Sequence, residues 1–234
     1  MGNRTLVIGD VHGCSKTFNR LLDVIRLERT DTLYLLGDLI DRGPDSKGVI
    51  DTILQLQKDG FRLLSVLGNH ESLALNAIET GVYEDYLDWE DNGGEETLKS
   101  YGVRTPKEIP TEHIEFMNSL PLYRMTDKLV FVHAGLDWAL PDEFSKAGET
   151  AMLWSRSGKV IPKRIGGRTL VTGHSTKTLG EIRRSLTTKH IRTDNGCYLG
   201  TGFTEGKGNL VAINLDTGEL TVQPNIDGAD HDCH

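Results

Sequence analysis

Five short apolar runs in this 234-residue chain each end in residues able to bind a metal ion. Leu6 to Ile8 leads into Gly9-Asp10-Val11-His12-Gly13, and Leu33 to Leu36 into Gly37-Asp38-Leu39-Ile40-Asp41-Arg42-Gly43. Leu63 to Leu67 leads into Gly68-Asn69-His70-Glu71, Leu129 to Val132 into His133-Ala134-Gly135, and Leu170 to Thr172 into Gly173-His174. Asp10 and His12 are two positions apart, so at an extended strand end they share a face and can grip one ion. A mixture of carboxylate, imidazole and amide oxygen suits Mn²⁺, Fe or Zn²⁺, whereas Ca²⁺ prefers oxygen alone and a thiolate site would need cysteines. These residues exceed the needs of one ion. Two divalent ions about 3.5–4 Å apart, bridged by one carboxylate, would use them all, and such pairs serve phosphatases and nucleases.

The elements that must position these groups follow from the same pattern. Between the first two runs, Leu21, Leu22, Val24, Ile25 and Leu27 after Phe18 form a helical stripe, and Val49, Ile50, Ile53, Leu54 and Leu56 repeat it before the third. Strand alternating with helix predicts an α/β fold, in which ligands gather beyond the carboxyl ends of the strands. From about residue 72 to 125 the rhythm changes to two more helical stretches, Leu73 to Ile78 and Thr111 to Leu120, around a polar Asn92-Gly93-Gly94 turn; we read a small helical cap inserted on the core. Asn209 to Leu215, Asp216-Thr217-Gly218 and Leu220 to Val222 spell a hairpin, and residues 224–234 a solvated, frayed tail.

Composition bounds the function. The length predicts a single domain over 1–234 that buries roughly 70% of its surface, so a metal would serve chemistry and not folding. A net charge of −8 argues against a nucleic-acid partner. No stretch suits a membrane span or a signal peptide, which points to the cytoplasm. Cys14, Cys197 and Cys233 are too few and too scattered for a disulfide framework.

Taken in order, these motifs resemble the signature set of the phosphoprotein phosphatases within the calcineurin-like metallophosphoesterases. Trp89 with Asn92-Gly93-Gly94, and Leu153-Trp154-Ser155-Arg156, are further similar to the small bacterial and phage serine/threonine phosphatases. The resemblance implies a four-layer α/β/β/α sandwich with metals at one edge of the sheets. It implies Asp10 and His12 as ligands of a first ion, Asp38 as the bridge, and Asn69, His133 and His174 as ligands of a second. His70 would be the general acid, Asp41 its orienting partner, and Arg42 and Arg156 the phosphate clamps.

The implied reaction is hydrolysis of a phosphomonoester by a hydroxide bridging two divalent ions, Mn²⁺ or otherwise Fe or Zn²⁺, attacking phosphorus in line. The expected substrate is phosphoserine or phosphothreonine in a protein, or a small phosphoester. Symmetrical hydrolysis of diadenosine tetraphosphate, or of another nucleotide, is the alternative, and phospho-ligand binding without turnover a weaker one. Three local patterns are set aside. Cys14 to Arg20 fits the C-x5-R loop of thiol phosphatases but runs straight into the first helical stripe, Gly202 to Lys207 departs from a Walker loop in spacing, and His231 to His234 reads as tail. His113 and His190 receive no role.

Overall fold

The computed structural model describes residues 3–200 and 206–228. Two sheets carry the fold. Strands β1 (Thr5–Ile8), β2 (Thr32–Leu35), β3 (Arg62–Ser65), β8 (Asn209–Asn214) and β9 (Glu219–Pro224) form one in the order β3-β2-β1-β8-β9. Strands β4 (Tyr123–Met125), β5 (Leu129–Val132), β6 (Thr169–Thr172) and β7 (His190–Arg192) form the other in sequence order. β1–β2–β3 and β5–β6–β7 pair in parallel, while β4, β8 and β9 join antiparallel.

The central strands read as unbroken apolar runs because both their faces are buried. Leu6, Ile8, Leu33 and Leu35 face one core, under α1 (Ser15–Val24), α2 (Ser46–Lys58) and α3 (Asn69–Thr80). Their alternates Val7, Tyr34 and Leu36 face Phe131 and Val171 of the second sheet, with Tyr34 and Phe131 stacked at 3.8 Å. On the far side, Val130, Val132 and Leu170 pack against Leu136 and Met152, the latter from α7 (Glu149–Trp154). The layers are therefore α/β/β/α, with α8 (Leu179–Ser185) packed beside β7.

Three features differ from the sequence reading. Between Ser72 and Met125 two further helices, α4 (Tyr83–Trp89) and α5 (Glu95–Tyr101), precede α6 (Thr111–Asn118), and Asn92-Gly93-Gly94 lies in a π-helical kink joining them, with Gly93 at φ 102°. The apolar positions of α4 and α5 are too few for a visible stripe, yet Trp89 and Leu98 enter the same core as β1 to β3. β4 and β7 are three-residue strands without a legible alternation. Of the residues read as tail, Asp227 is held in place, accepting hydrogen bonds from the N–H groups of Lys16 and Thr17, both 2.9 Å. Cys14 gives α1 no side-chain cap, so Asp227 supplies the acceptor that this helix start needs. His231, Cys233 and Gly202 lie outside the described residues. Among the described residues no helix is long and apolar enough to cross a membrane.

Candidate metal centre and active site

All five strand-end motifs meet at one edge of the two sheets. The backbone there is unusual: of six non-glycine residues at positive φ among the described residues, five are His12, Asp38, Asp41, Arg42 and His174. Such conformations cost of order 1–3 kcal/mol each and persist where neighbours over-determine them. Glu71, wholly buried, does much of that by accepting the N–H groups of Asp38 (2.9 Å), Leu39 (2.7 Å), Ile40 (3.3 Å) and Gly68 (2.9 Å). Burial and the nearby Asp38 push its carboxyl up to about 7. A Cβ on Gly68 would lie 2.2 Å from the Asp38 nitrogen, so only glycine lets the β2 and β3 loops approach this closely.

Two ring nitrogens are freed as lone pairs by backbone carbonyls. His12 Nδ1 sits 3.0 Å from the Ile40 oxygen and His133 Nδ1 2.7 Å from the Leu36 oxygen, so each donates there and turns Nε2 inward. His133 Nε2 then lies 2.8 Å from Asn69 Oδ1, 3.1 Å from His174 Nδ1 and 3.3 Å from Asp38 Oδ2, and His174 Nδ1 is 3.0 Å from Asn69 Oδ1. Groups this close need a proton or a metal cation between them. Burial opposes a proton on His133, yet Asp38 and Asp10 outweigh it and hold its pKa at about 10. His174 is pushed down to about 4 by burial and by His133. A cation at this point would satisfy every partner, and the donor set of carboxylate, amide oxygen and imidazole fits a divalent transition metal.

The second grouping has ligand atoms of His12, Asp38 and His70 within 4.8 Å of one another, as do those of Asp38, His133 and His174, so Asp38 belongs to both. Asp10, which the resemblance makes a ligand of the first ion, stands beside these groups: its carboxylate accepts the His174 N–H at 2.9 Å and 3.1 Å. Burial, then Asp194 and Asp38, drive its pKa well above the ordinary carboxylate value. Burial also works against a charged Asp38, but His133 and His70 hold its pKa well below that value. Several carboxylates out of water with few cationic side chains among them call for an external positive charge.

His70 is spare from the His133 cluster. Its Nδ1 is 2.8 Å from Asp41 Oδ2, and its buried Nε2 has no hydrogen-bond partner, lying 3.9 Å from Asp38 Oδ2. Asp41 is fixed in turn by Trp89 Nε1 (2.9 Å to Oδ2) and by Thr97 Oγ1 (2.6 Å to Oδ1). Gly94 lets that indole sit flush, since a Cβ there would meet the ring at 2.6 Å. Arg42 donates to His12 Nε2 at 2.9 Å, its backbone N–H bonds to the Gly93 carbonyl, and its guanidinium lies 4.6 Å over the Tyr198 ring. Arg42, Arg156, His70 and His174 together border a cavity of about 100 Å³ above Asp38 and Asn69, with Trp154 at its rim.

Asp10, His12, Asp38, Asp41, Arg42, Asn69, His70, His133, Arg156 and His174 thus all lie at this edge. Glu71, Thr97 and Tyr198 were missed as contributors, and Trp89 was noted without a role. Thr97 lies 56 residues from the Asp41 that it holds, a separation no local pattern reveals. Cys14 is 1% exposed with Arg20 on the surface of α1, so no thiol loop exists. His113 is held by Tyr101 and Asp51, a structural arrangement.

Comparison with known proteins follows the geometry. Curated proteins named symmetrical bis(5'-nucleosyl)-tetraphosphatase match from Nitrosomonas europaea (33% identity over 58% of this chain and 47% of the relative) and Nitrosospira multiformis (28% over 81% and 66%). The chain thus spans about half to two thirds of the length of these relatives. A protein serine/threonine phosphatase structure from Saccharomyces cerevisiae shares the fold, with a TM-score of 0.62 and 15% identity over 97% of this chain and 82% of that one. The calcineurin-like phosphoesterase profile matches residues 3–191, and the chain belongs to that family.

Proposed function

We propose that this chain is a metal-dependent hydrolase that cleaves the phosphoanhydride of dinucleoside tetraphosphates. The observation that carries the metal dependence is the meeting of His133 Nε2, Asn69 Oδ1 and His174 Nδ1 within 3.1 Å beside Asp38. The nucleotide substrate is supported by the recurrence of symmetrical tetraphosphatases among the relatives.

Asp10, His12 and Asp38 would hold one divalent ion and Asp38, Asn69, His133 and His174 a second, with Mn²⁺, Fe and Zn²⁺ all suited to these donors. When bound, such a pair supplies Lewis acidity and lowers the pKa of water toward ~7, providing a nucleophile. Arg42 and Arg156 hold the non-bridging phosphoryl oxygens and stabilise the charge that spreads over them in the transition state. His70 carries a proton on Nε2 toward the departing oxygen, while Asp41, anchored by Trp89 and Thr97, fixes the ring through Nδ1.

The His70–Asp41 pair favours a second reading, hydrolysis of phosphoserine or phosphothreonine in proteins. An alkoxide needs a proton to leave, whereas a nucleoside diphosphate is already a stable anion near neutral pH and needs one far less. A turnover panel with Mn²⁺ decides between them, using diadenosine tetraphosphate, phosphoserine, phosphothreonine and phosphotyrosine peptides, and nucleoside monophosphates. The first reading expects cleavage of the tetraphosphate to two ADP with the highest kcat/KM. A phosphopeptide in first place replaces it with the second, and turnover that survives a chelator overturns both.

A further inference from the structure

We propose that a basic groove leading away from the metal centre binds an oligophosphate chain, holding the phosphates beyond the one being cleaved. This deepens the tetraphosphatase reading and rests on it for the reacting end of the substrate.

Three depressions follow one another along the edge of the second sheet and share walls. The cavity over Asp38 is bounded by Arg156 and His174. A shallow one of about 20 Å³ shares Arg156, is lined by Thr172 and Gly173, and is flanked by Lys177, His190 and Arg192. A third, of about 530 Å³, shares His190 and Arg192 and ends at Arg184 and Lys189. At the boundary of the last two the Arg192 guanidinium lies against Gly158, where a Cβ would come within 2.8 Å of it, so the absence of a side chain there lets this cation sit between both depressions.

The charge balance is what singles this groove out. In a chain of net charge −8, five cationic side chains line one path, and none of them forms a salt bridge among the described residues. The sole carboxylate on the walls of the two outer depressions, Glu181, is engaged at the start of α8, where it accepts the N–H and hydroxyl of Thr178. Burial, Arg192 and Lys177 push the His190 ring down to about 4, so it adds no charge at neutral pH, and its Nε2 lies 2.9 Å from Thr172 Oγ1.

A row of like charges repels itself and is relieved by an anion that spans it. One phosphate group is accommodated by Arg42 and Arg156, so the remaining cations call for charge continuing beyond it. Consecutive phosphates present such charge at close, regular spacing and match guanidinium forks. The two outer depressions offer no aromatic ring on which a base could stack other than the imidazole of His190. The groove therefore fits the phosphate chain and not the nucleoside.

Calorimetric titration of the full metal-loaded chain with tripolyphosphate and with orthophosphate tests this, at excess Mn²⁺ so that chelation is common to every protein compared. Wild type should bind tripolyphosphate about tenfold tighter than orthophosphate. In Lys177→Gln/Arg192→Gln most of that preference should vanish while orthophosphate affinity stays within about twofold, and exposed Arg184→Gln, at little risk to folding, should lose part of it. Unchanged tripolyphosphate affinity in both variants overturns the proposal, as does parallel weakening of both ligands, or a groove that discriminates acidic phosphopeptides but not tripolyphosphate. Failure of the parent reading looks different: wild type then fails to cleave diadenosine tetraphosphate while the tripolyphosphate preference and its loss in the variants remain.

Discussion

The two ends of the five-stranded sheet treat a buried carboxylate in opposite ways. At the amino end of β2, Asp31 is 2% exposed, and Arg4 meets it with Nε 2.9 Å from Oδ1 and Nη2 2.5 Å from Oδ2. Burial opposes its charge, but the Arg4 hydrogen bonds prevail and lower its pKa. At the carboxyl end Asp10 and Asp38 are as deeply buried, yet among the described residues no lysine or arginine pairs with either, and Asp10 has its pKa raised. The first arrangement is self-contained and stabilises the fold. The second is complete only with charge brought from outside, which is the physical signature of a binding site.

The sharpest way to break this contrast is one substitution at each end. Asp38→Asn should release bound metal and lower turnover by roughly 10⁴-fold or more, since it removes the carboxylate common to both donor groups. Full metal occupancy by elemental analysis would count against a shared ligand. His70→Ala should lower turnover of an ester with a poor leaving group by about 10²–10⁴-fold and affect an activated leaving group far less, with metal content intact. Equal losses on both esters would remove the proton-donor role.

Smaller effects are expected from residues acting through others. Glu71→Gln puts an amide donor against N–H groups that now share a carboxylate, so turnover or metal affinity should fall by about 10–100-fold. Asp31→Asn should leave kcat/KM within about twofold while costing about 1–3 kcal/mol in denaturant unfolding. A lowered folded-state pKa means that the Asp31 contribution is complete above ~3.9 and lost as pH falls through the folded value, so the variant should show a flatter acid limb.

Two carboxyls at the site end have the opposite sign. Asp10 and Glu71 have raised folded-state pKa values, so their contribution is complete at low pH and is lost as pH rises, for Glu71 through about 7. Bound cations counteract that loss. Chelator should therefore lower Tm more at about pH 7.5 than at about pH 5, and equal shifts would contradict the account.

Much of this was legible in the sequence, for identifiable reasons. Strands buried on both faces appear as apolar runs, and the residues that follow them must cluster wherever parallel strands share an edge. This is why the sequence alone leads one to expect Asp38, Asn69, His133 and His174 at one edge. What stayed hidden depends on long-range contact: the anchoring of Asp41 by Trp89 and Thr97, the backbone clamp of Glu71, and the Asp227 cap on α1. The helices α4 and α5 were hidden for another reason, being short and largely polar on their outer faces.

The most direct test is a count of ions. Titration of chelator-treated protein with Mn²⁺ at neutral pH should show two ions per chain with release of protons, and Asp38→Asn should lose both under the same conditions. Binding of a single ion, or of none, or two-ion binding that persists in Asp38→Asn, would contradict the claim that the strand-end donors form one dinuclear centre.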